Sequence, residues 1–170
     1  EMIQQFLSSQ LRDLRICTGS NNTEDHAHPR RDHVWLSHLQ TKCLNLTSLT
    51  LEVRLNVPSA RMAALFDASS RLKTLRFGHQ LESVVDRDSI SAILKLSHLE
   101  ELSIDFSLSA SILDEVETTI TMSPGGVLPQ LRQTEIIISE TEDQTVGVLL
   151  SERTTLREVT ISFVPTTRNR

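Results

Sequence analysis

The sequence predicts an α/β fold: a curved solenoid of about six strand-helix units, with a parallel sheet on the concave face and helices on the convex face. Three observations predict it. An apolar rhythm at places one, four and six of a short stretch recurs six times along the 170 residues. The starts, Leu11, Leu46, Leu72, Leu99, Leu131 and Leu156, lie 35, 26, 27, 32 and 25 residues apart. The segments between them carry apolar residues at helical spacing, and the glycine fingerprint loop of a doubly wound nucleotide fold is missing.

In an extended stretch alternate side chains share a face, so places four and six point one way and places three and five the other. One face is therefore core and the other solvent. A strand this short cannot bury its apolar side alone, so successive strands must stack in parallel over a shared ribbon of core.

Taken in order, "MIQQFLSS" (2–9) supplies a helix before the first strand, "LRDLRI" from Leu11. A polar insertion, "TGSNNTEDHAHPRRDH" (18–33), lengthens the first interval and reads as a loop from its Asn, Asp, Ser and Pro content. "HVWLSHLQTKC" (33–43) is helical and leads into "LTSLTL" from Leu46. "SARMAALFDASS" (59–70) offers Ser59 as N-cap and Met62, Leu65 and Phe66 at i, i+3 and i+4. "LKTLRF" follows from Leu72. "DSISAILKL" (88–96) has Asp88 or Ser89 as cap before Ile90, Ile93 and Leu94, and precedes "LEELSI" from Leu99.

"ASILDEVETTI" (110–120) is the next helix, and "SPGGVLPQ" (123–130) is a turn in which Pro129 stops any helix. No Lys-Ser/Thr pair follows Gly125 and Gly126, so the turn is no phosphate cradle. The fifth strand, "LRQTEI" from Leu131, breaks the apolar pattern at Thr134. "TVGVLLSER" (145–153) reads as a helix before the last strand, "LREVTI" from Leu156.

A chain of 170 residues with 38% hydrophobic content fits one domain spanning 1–170. A net charge of −5 and a pI near 5.7 give no general attraction to a phosphate backbone, so nucleic acid is not an expected partner. No apolar run approaches a membrane span, and the N-terminus lacks the pattern of a secretory leader, so no membrane partner is expected. Cys17 and Cys43 are too few for a disulfide framework, which points to an intracellular, cytoplasmic or nuclear setting. Two glycosylation-type triplets occur, at Asn21 and at Asn45, but motifs this short arise often by chance. Aromatic residues make up 4% and Tyr is absent, so any binding surface works through aliphatic, charged and small polar groups.

With this rhythm and its interval of roughly 26 residues, the chain resembles a leucine-rich-repeat domain over nearly its whole length. The long helical segments make it similar to the intracellular kind found in ribonuclease-inhibitor-like proteins and F-box/LRR substrate receptors. "KCLNLTSLTLEV", with Cys43 three residues before Leu46, is similar to the C-x-x-L-x-x-L-x-L start common in F-box/LRR proteins. The irregular repeat lengths resemble those of the divergent fungal members. No F-box helical module is visible, so the resemblance implies the recognition half of a longer chain. The opening inside a helix and the uncapped end after "SFVPTTRNR" carry the same expectation.

On this register the concave face is lined by Asp13 and Arg15, Ser48 and Thr50, Thr74 and Arg76, Glu101 and Ser103, Gln133 and Glu135, and Glu158 and Thr160. Glu52, Asp105 and Ser162, at place seven, extend it. Both arginines fall in the first three strands and most acids in the last three, a polarity suited to orienting a charged protein or peptide segment. Arg15 and Arg76 are the residues best suited to grip a carboxylate or phosphate, provided that stacking brings them within about 10 Å. "RRDH" offers a small basic contact at the loop rim.

Catalysis requires a nucleophile and a base that converge. Cys17 with His26 or His28 is the one candidate, and nothing in the sequence fixes their geometry. Glu24, Asp25, His26, His28, Asp32, His33 and His38 bring metal-ligand chemistry together, but at no established spacing. The expectation is therefore a non-catalytic module without metal or cofactor that binds a protein or peptide on its concave face or loop rim. In its concrete form it is the substrate-recognition region of an F-box/LRR ubiquitin-ligase subunit, an adaptor only if an F-box lies outside this segment. The alternatives are a free-standing scaffold or inhibitor, or an LRR sensor fragment.

Overall fold

A computed structural model of the protein describes residues 7–17, 29–53, 55, 57–78, 81, 85–107, 110–122, 127–139 and 155–164. In chain order the elements are β1 (Asp13–Cys17), α1 (Pro29–Lys42), β2 (Ser48–Glu52), α2 (Ser59–Ala68), β3 (Thr74–Phe77), α3 (Arg87–Leu94), β4 (Glu101–Ser107), α4 (Ala110–Met122), β5 (Gln133–Ser139) and β6 (Glu158–Val164). The six strands form one sheet in the order β1-β2-β3-β4-β5-β6, and every neighbouring pair is parallel. Parallel neighbours need a crossover, and each of the first four connections contains a helix. The helices expected at 2–9 and 145–153 fall on segments outside the described residues, apart from Leu7, Ser8 and Ser9, which are not helical.

One hydrogen-bond arrangement recurs at each strand junction. The Arg12 carbonyl accepts the N–H groups of Thr47 and Ser48 at 2.7 and 2.9 Å. The carbonyl of Thr47 does the same for Lys73 and Thr74, Lys73 for Glu100 and Glu101, Glu100 for Arg132 and Gln133, and Arg132 for Arg157 and Glu158. Upstream of five strands the place-one leucine donates its N–H to the carbonyl three residues back: Leu11 to Ser8, Leu46 to Cys43, Leu72 to Ser69, Leu99 to Leu96 and Leu131 to Leu128. These short turns satisfy backbone groups that a change from helix to strand leaves without a ladder partner.

The alternation divides the sheet as the pattern requires. Leu49, Leu51, Leu75, Phe77, Leu102, Ile104 and Ile136 are buried in one cluster with Met62, Leu65, Phe66 and Ile93 from the helices. Phe66 meets Phe77 edge-on at 5.6 Å between ring centroids, and Phe77 meets Phe106 at 6.5 Å. Thr134 takes the core place in β5 and is 3% exposed, and its hydroxyl has no hydrogen-bond partner among the described residues. At the sheet ends the seal is incomplete: Leu14, Ile16, Leu156 and Ile161 are half-buried and Val159 is 41% exposed. No helix among the described residues is long and apolar enough to cross a membrane.

Three local expectations need correction. Ser59 lies inside α2, whose N-cap is Pro58; an extended proline with no side-chain acceptor ends the preceding segment there. Asp88 and Ser89 lie in the first turn of α3, because Asp86 is the cap and its carboxylate accepts the Ser89 N–H at 3.0 Å. The polar loop expected over 18–33 yields to helix at Pro29, a residue suited to a first helical position because its missing N–H would have had no partner. Residues 18–28 lie outside the described residues, as do 123–126 of the expected turn, whose remainder is bent and turn-like with Leu128 at a φ of 43°.

Candidate functional site

The sheet face away from the core carries the candidate site. Strand pairing aligns Asp13, Ser48, Thr74, Glu101, Gln133 and Glu158 in one row, and Arg15, Thr50, Arg76, Ser103, Glu135 and Thr160 in the next. Neighbouring strands in a row stand about 4.8 Å apart, so side chains on adjacent strands meet directly.

Each glutamate on this face receives a donor from the strand before it. Arg15 Nη2 lies 3.1 Å from both carboxylate oxygens of Glu52. Arg76 Nη2 lies 3.4 Å from Glu101 Oε2, the Ser103 hydroxyl donates to Glu135 Oε2 at 3.0 Å, and the Gln133 amide donates to Glu158. The first two carboxylates are thus balanced by guanidinium groups. The last two accept from neutral donors, and no ion pair to either is seen among the described residues.

Arg15 and Arg76 share a row but flank Thr50, and each faces a glutamate of its own. Their geometry is that of two separate ion pairs, not of a shared grip on one anion. Thr50 was expected on the exposed face, yet it is only 9% exposed between the long side chains of its two row neighbours. Asp105 is exposed where β4 loses register with β5, between Ile104 and Ser107, so it stands off the regular rows.

The place-seven row adds Cys17, which the sequence reading considered only as a nucleophile, and Gly78, which it passed over. Cys17, paired in register with Glu52, donates its thiol to Glu52 Oε2 at 3.2 Å and accepts from Arg15 Nε at 3.2 Å. The Cys17 thiol, then the Arg15 guanidinium, hold the Glu52 carboxyl below the usual glutamate range, and Glu52 in turn pushes Arg15 up. Gly78 takes the same place after β3. A Cβ there would stand 3.1 Å from the Glu52 Cα, so glycine lets the two strand ends approach. The signal was available in the sequence, since both residues stand directly after a rhythm whose place seven was already assigned elsewhere.

A third row, at place two, borders the face where the strands begin: Arg12, Thr47, Lys73, Glu100, Arg132 and Arg157. Lys73 Nζ lies 2.8 Å and Arg132 Nη1 3.8 Å from the two Glu100 oxygens. The Lys73 hydrogen bond is the main reason the Glu100 carboxyl titrates low. Nearby, the Asn45 amide donates to the Ser9 carbonyl at 2.8 Å and accepts from Arg71 at 2.7 Å, so this glycosylation-type asparagine is engaged at both amide atoms.

Two open hollows lie on the face. One of about 160 Å³ is walled by Arg76, Glu101, Gln133, Glu135 and Glu158. The other, about 560 Å³, lies between Cys17, Glu52, Gly78, Asp105 and Glu135. Both are polar grooves between strands, suited to side chains of a bound segment rather than to an enclosed small molecule. No group of His, Cys, Asp and Glu among the described residues has metal-binding geometry. His26 and His28, the expected partners for Cys17, lie outside the described residues.

No protein-family model matches the chain, and no curated protein matches it. The site therefore rests on geometry: six aligned strands presenting a polar face on which Glu52 and Glu101 meet arginines while Glu135 and Glu158 meet neutral donors.

Proposed function

We propose that the chain is a leucine-rich-repeat solenoid that acts as a non-catalytic protein-interaction module and holds a protein or peptide segment on its open sheet face. The observation that carries this reading is the alignment of Glu101, Gln133 and Glu158 beside Ser103, Glu135 and Thr160. A polar surface on which Glu135 and Glu158 meet only neutral donors among the described residues suits an extended, positively charged segment by complementary charge. The five recurring strand junctions support the repeat architecture. The open, polar grooves support recognition, and in the larger one the Cys17 thiol is engaged with Glu52 and Arg15.

In its concrete form the module is the substrate-recognition region of an F-box/LRR subunit of a ubiquitin ligase, in which catalysis belongs to associated components. The test is isolation of the native protein from its own cells, with intact mass, peptide sequence and co-isolated proteins determined together. A longer polypeptide with a helical F-box, bound to ligase components, is the expected result. A native product without an F-box, isolated with a stable partner and no ligase component, would replace the ligase reading with that of a free-standing binder.

A further inference from the structure

We propose that the rim where the strands begin binds an acidic, extended segment of a partner protein, whose carboxylates engage Arg12, Lys73, Arg132 and Arg157 along one row. The rim borders the open face, and the proposal does not rest on what that face binds.

The observation behind it is a segregation of charge. The junction segments 8–12, 43–47, 69–73, 95–100, 127–132 and 155–157 contain six cations, Arg12, Arg71, Lys73, Lys95, Arg132 and Arg157, and one carboxylate, Glu100. The whole chain carries a net charge of −5, so this edge opposes the character of the rest. Backbone bonds that recur from one junction to the next stack these segments side by side. Their side chains meet accordingly: Arg71 reaches Asn45 at 2.7 Å and Lys73 reaches Glu100 at 2.8 Å. Cations that are far apart in sequence are thus gathered into one band.

Glu100 alone does not neutralise that band. It is shared between Lys73 at 2.8 Å and Arg132 at 3.8 Å, and both cations keep more than half of their side-chain surface exposed. Arg12 and Arg157 are exposed, and no carboxylate pairs with either among the described residues. Arg132 and Arg157 immediately precede paired residues of β5 and β6, and like charges on neighbouring strands oppose pairing. The fold does not demand a cation there, since Thr47 fills the same place before β2. A cation at four of these six places serves binding rather than folding.

The row also limits the ligand. Strands about 4.8 Å apart set Arg12, Lys73 and Arg132, each two strands from the next, about 10 Å apart. A polyproline-type segment advances about 9.3 Å per turn of three residues, so carboxylates at every third position return to one side at that interval. No Phe, Tyr or Trp lies in the junction segments, which leaves a nucleic-acid strand without the stacking surface it ordinarily uses. Leu44 is the one exposed large apolar side chain within them, too small a patch to hold a membrane surface.

The test is a peptide with Glu at every third position and Pro between, which holds the extended form, titrated into isotope-labelled protein at low ionic strength and followed by amide NMR. The same peptide with Gln for each Glu is the control. The Glu peptide is expected to bind, with its largest shifts at Arg12, Lys73 and Arg132, and the Gln peptide is not. Lys73→Thr/Arg132→Thr, which sets there the residue the fold already accepts at Thr47, is expected to weaken binding at least about fivefold. The equally charged variant Arg15→Thr/Arg76→Thr, on the open face, is expected to leave it unchanged. Glu100→Gln removes the competing carboxylate and is expected to tighten binding, a gain that mere damage to the fold does not produce. Absence of binding by the Glu peptide, equal losses in the two double variants, or stronger binding of an anionic phospholipid vesicle or a single-stranded oligonucleotide would overturn the proposal.

Discussion

Arg15 and Glu52 stand on neighbouring strands and meet with one guanidinium nitrogen 3.1 Å from both carboxylate oxygens, while the Cys17 thiol reaches the same carboxylate at 3.2 Å. Both charged side chains are well exposed, so solvent screens the pair and its contribution to stability is small. What it fixes is geometry: a charged acid held in place at one end of the open face.

The Glu52 carboxyl should titrate below an ordinary glutamate when followed by carbon NMR. Replacement of Cys17 by Ala is expected to raise its midpoint, and so is Arg15→Gln, because each removes a donor to the charged form. A depressed folded value means that any stabilisation is present above the unfolded glutamate value and fades as pH falls through the folded one. A midpoint unmoved by both substitutions would contradict the triad.

Asp86 at the start of α3 gives a clearer dependence on acid. Burial works against its charge, but hydrogen bonds from Ser59 and Ser89 outweigh burial and hold the carboxyl low. Asp86→Ala should cost about 1 kcal/mol at neutral pH. The cap contribution is full above the unfolded aspartate value and is lost on acidification through the folded one. Asp86→Asn keeps an acceptor and should flatten this part of the pH profile in denaturant titrations.

Thr134 is the place where the sequence rule and the core disagree. Its buried hydroxyl has no partner among the described residues, so Thr134→Val should stabilise the protein by about 1 kcal/mol. A higher urea midpoint with an unchanged slope is the expected signature. A loss of stability would mean that the hydroxyl is satisfied in solution.

Phe77 joins the rings of Phe66 and Phe106 behind the open face. Phe77→Ala should cost about 3–5 kcal/mol, because it removes buried ring surface and leaves a cavity. A cost below about 1 kcal/mol would contradict the packing described.

The strand register was legible because alternation is a local property: "LTSLTL" and "LKTLRF" fix which side of the sheet every residue takes. The pairing of all six strands in chain order follows from the same rhythm. Other features depend on neighbours distant in sequence. Nothing in the stretch around Thr50 shows that two arginine side chains flank it, and nothing around Arg76 shows that Glu101 holds its guanidinium. Helix starts were misplaced by one to three residues at Pro58 and Asp86, since several neighbouring residues can each serve as a cap. The contrast between charge-balanced Glu101 and amide-bound Glu158 emerges only when the strands are set side by side.

The measurement that tests the central claim most directly compares two variants against the partner isolated with the native protein. One carries Ser103→Lys and Glu135→Lys on the open face, and the other carries Asp67→Lys and Asp114→Lys, exposed on the helices. The account predicts at least about a tenfold loss of affinity, roughly 1.4 kcal/mol, for the face variant and none for the helix variant. Unchanged binding by the face variant, with loss in the helix variant, would place the partner on the opposite side and contradict the account.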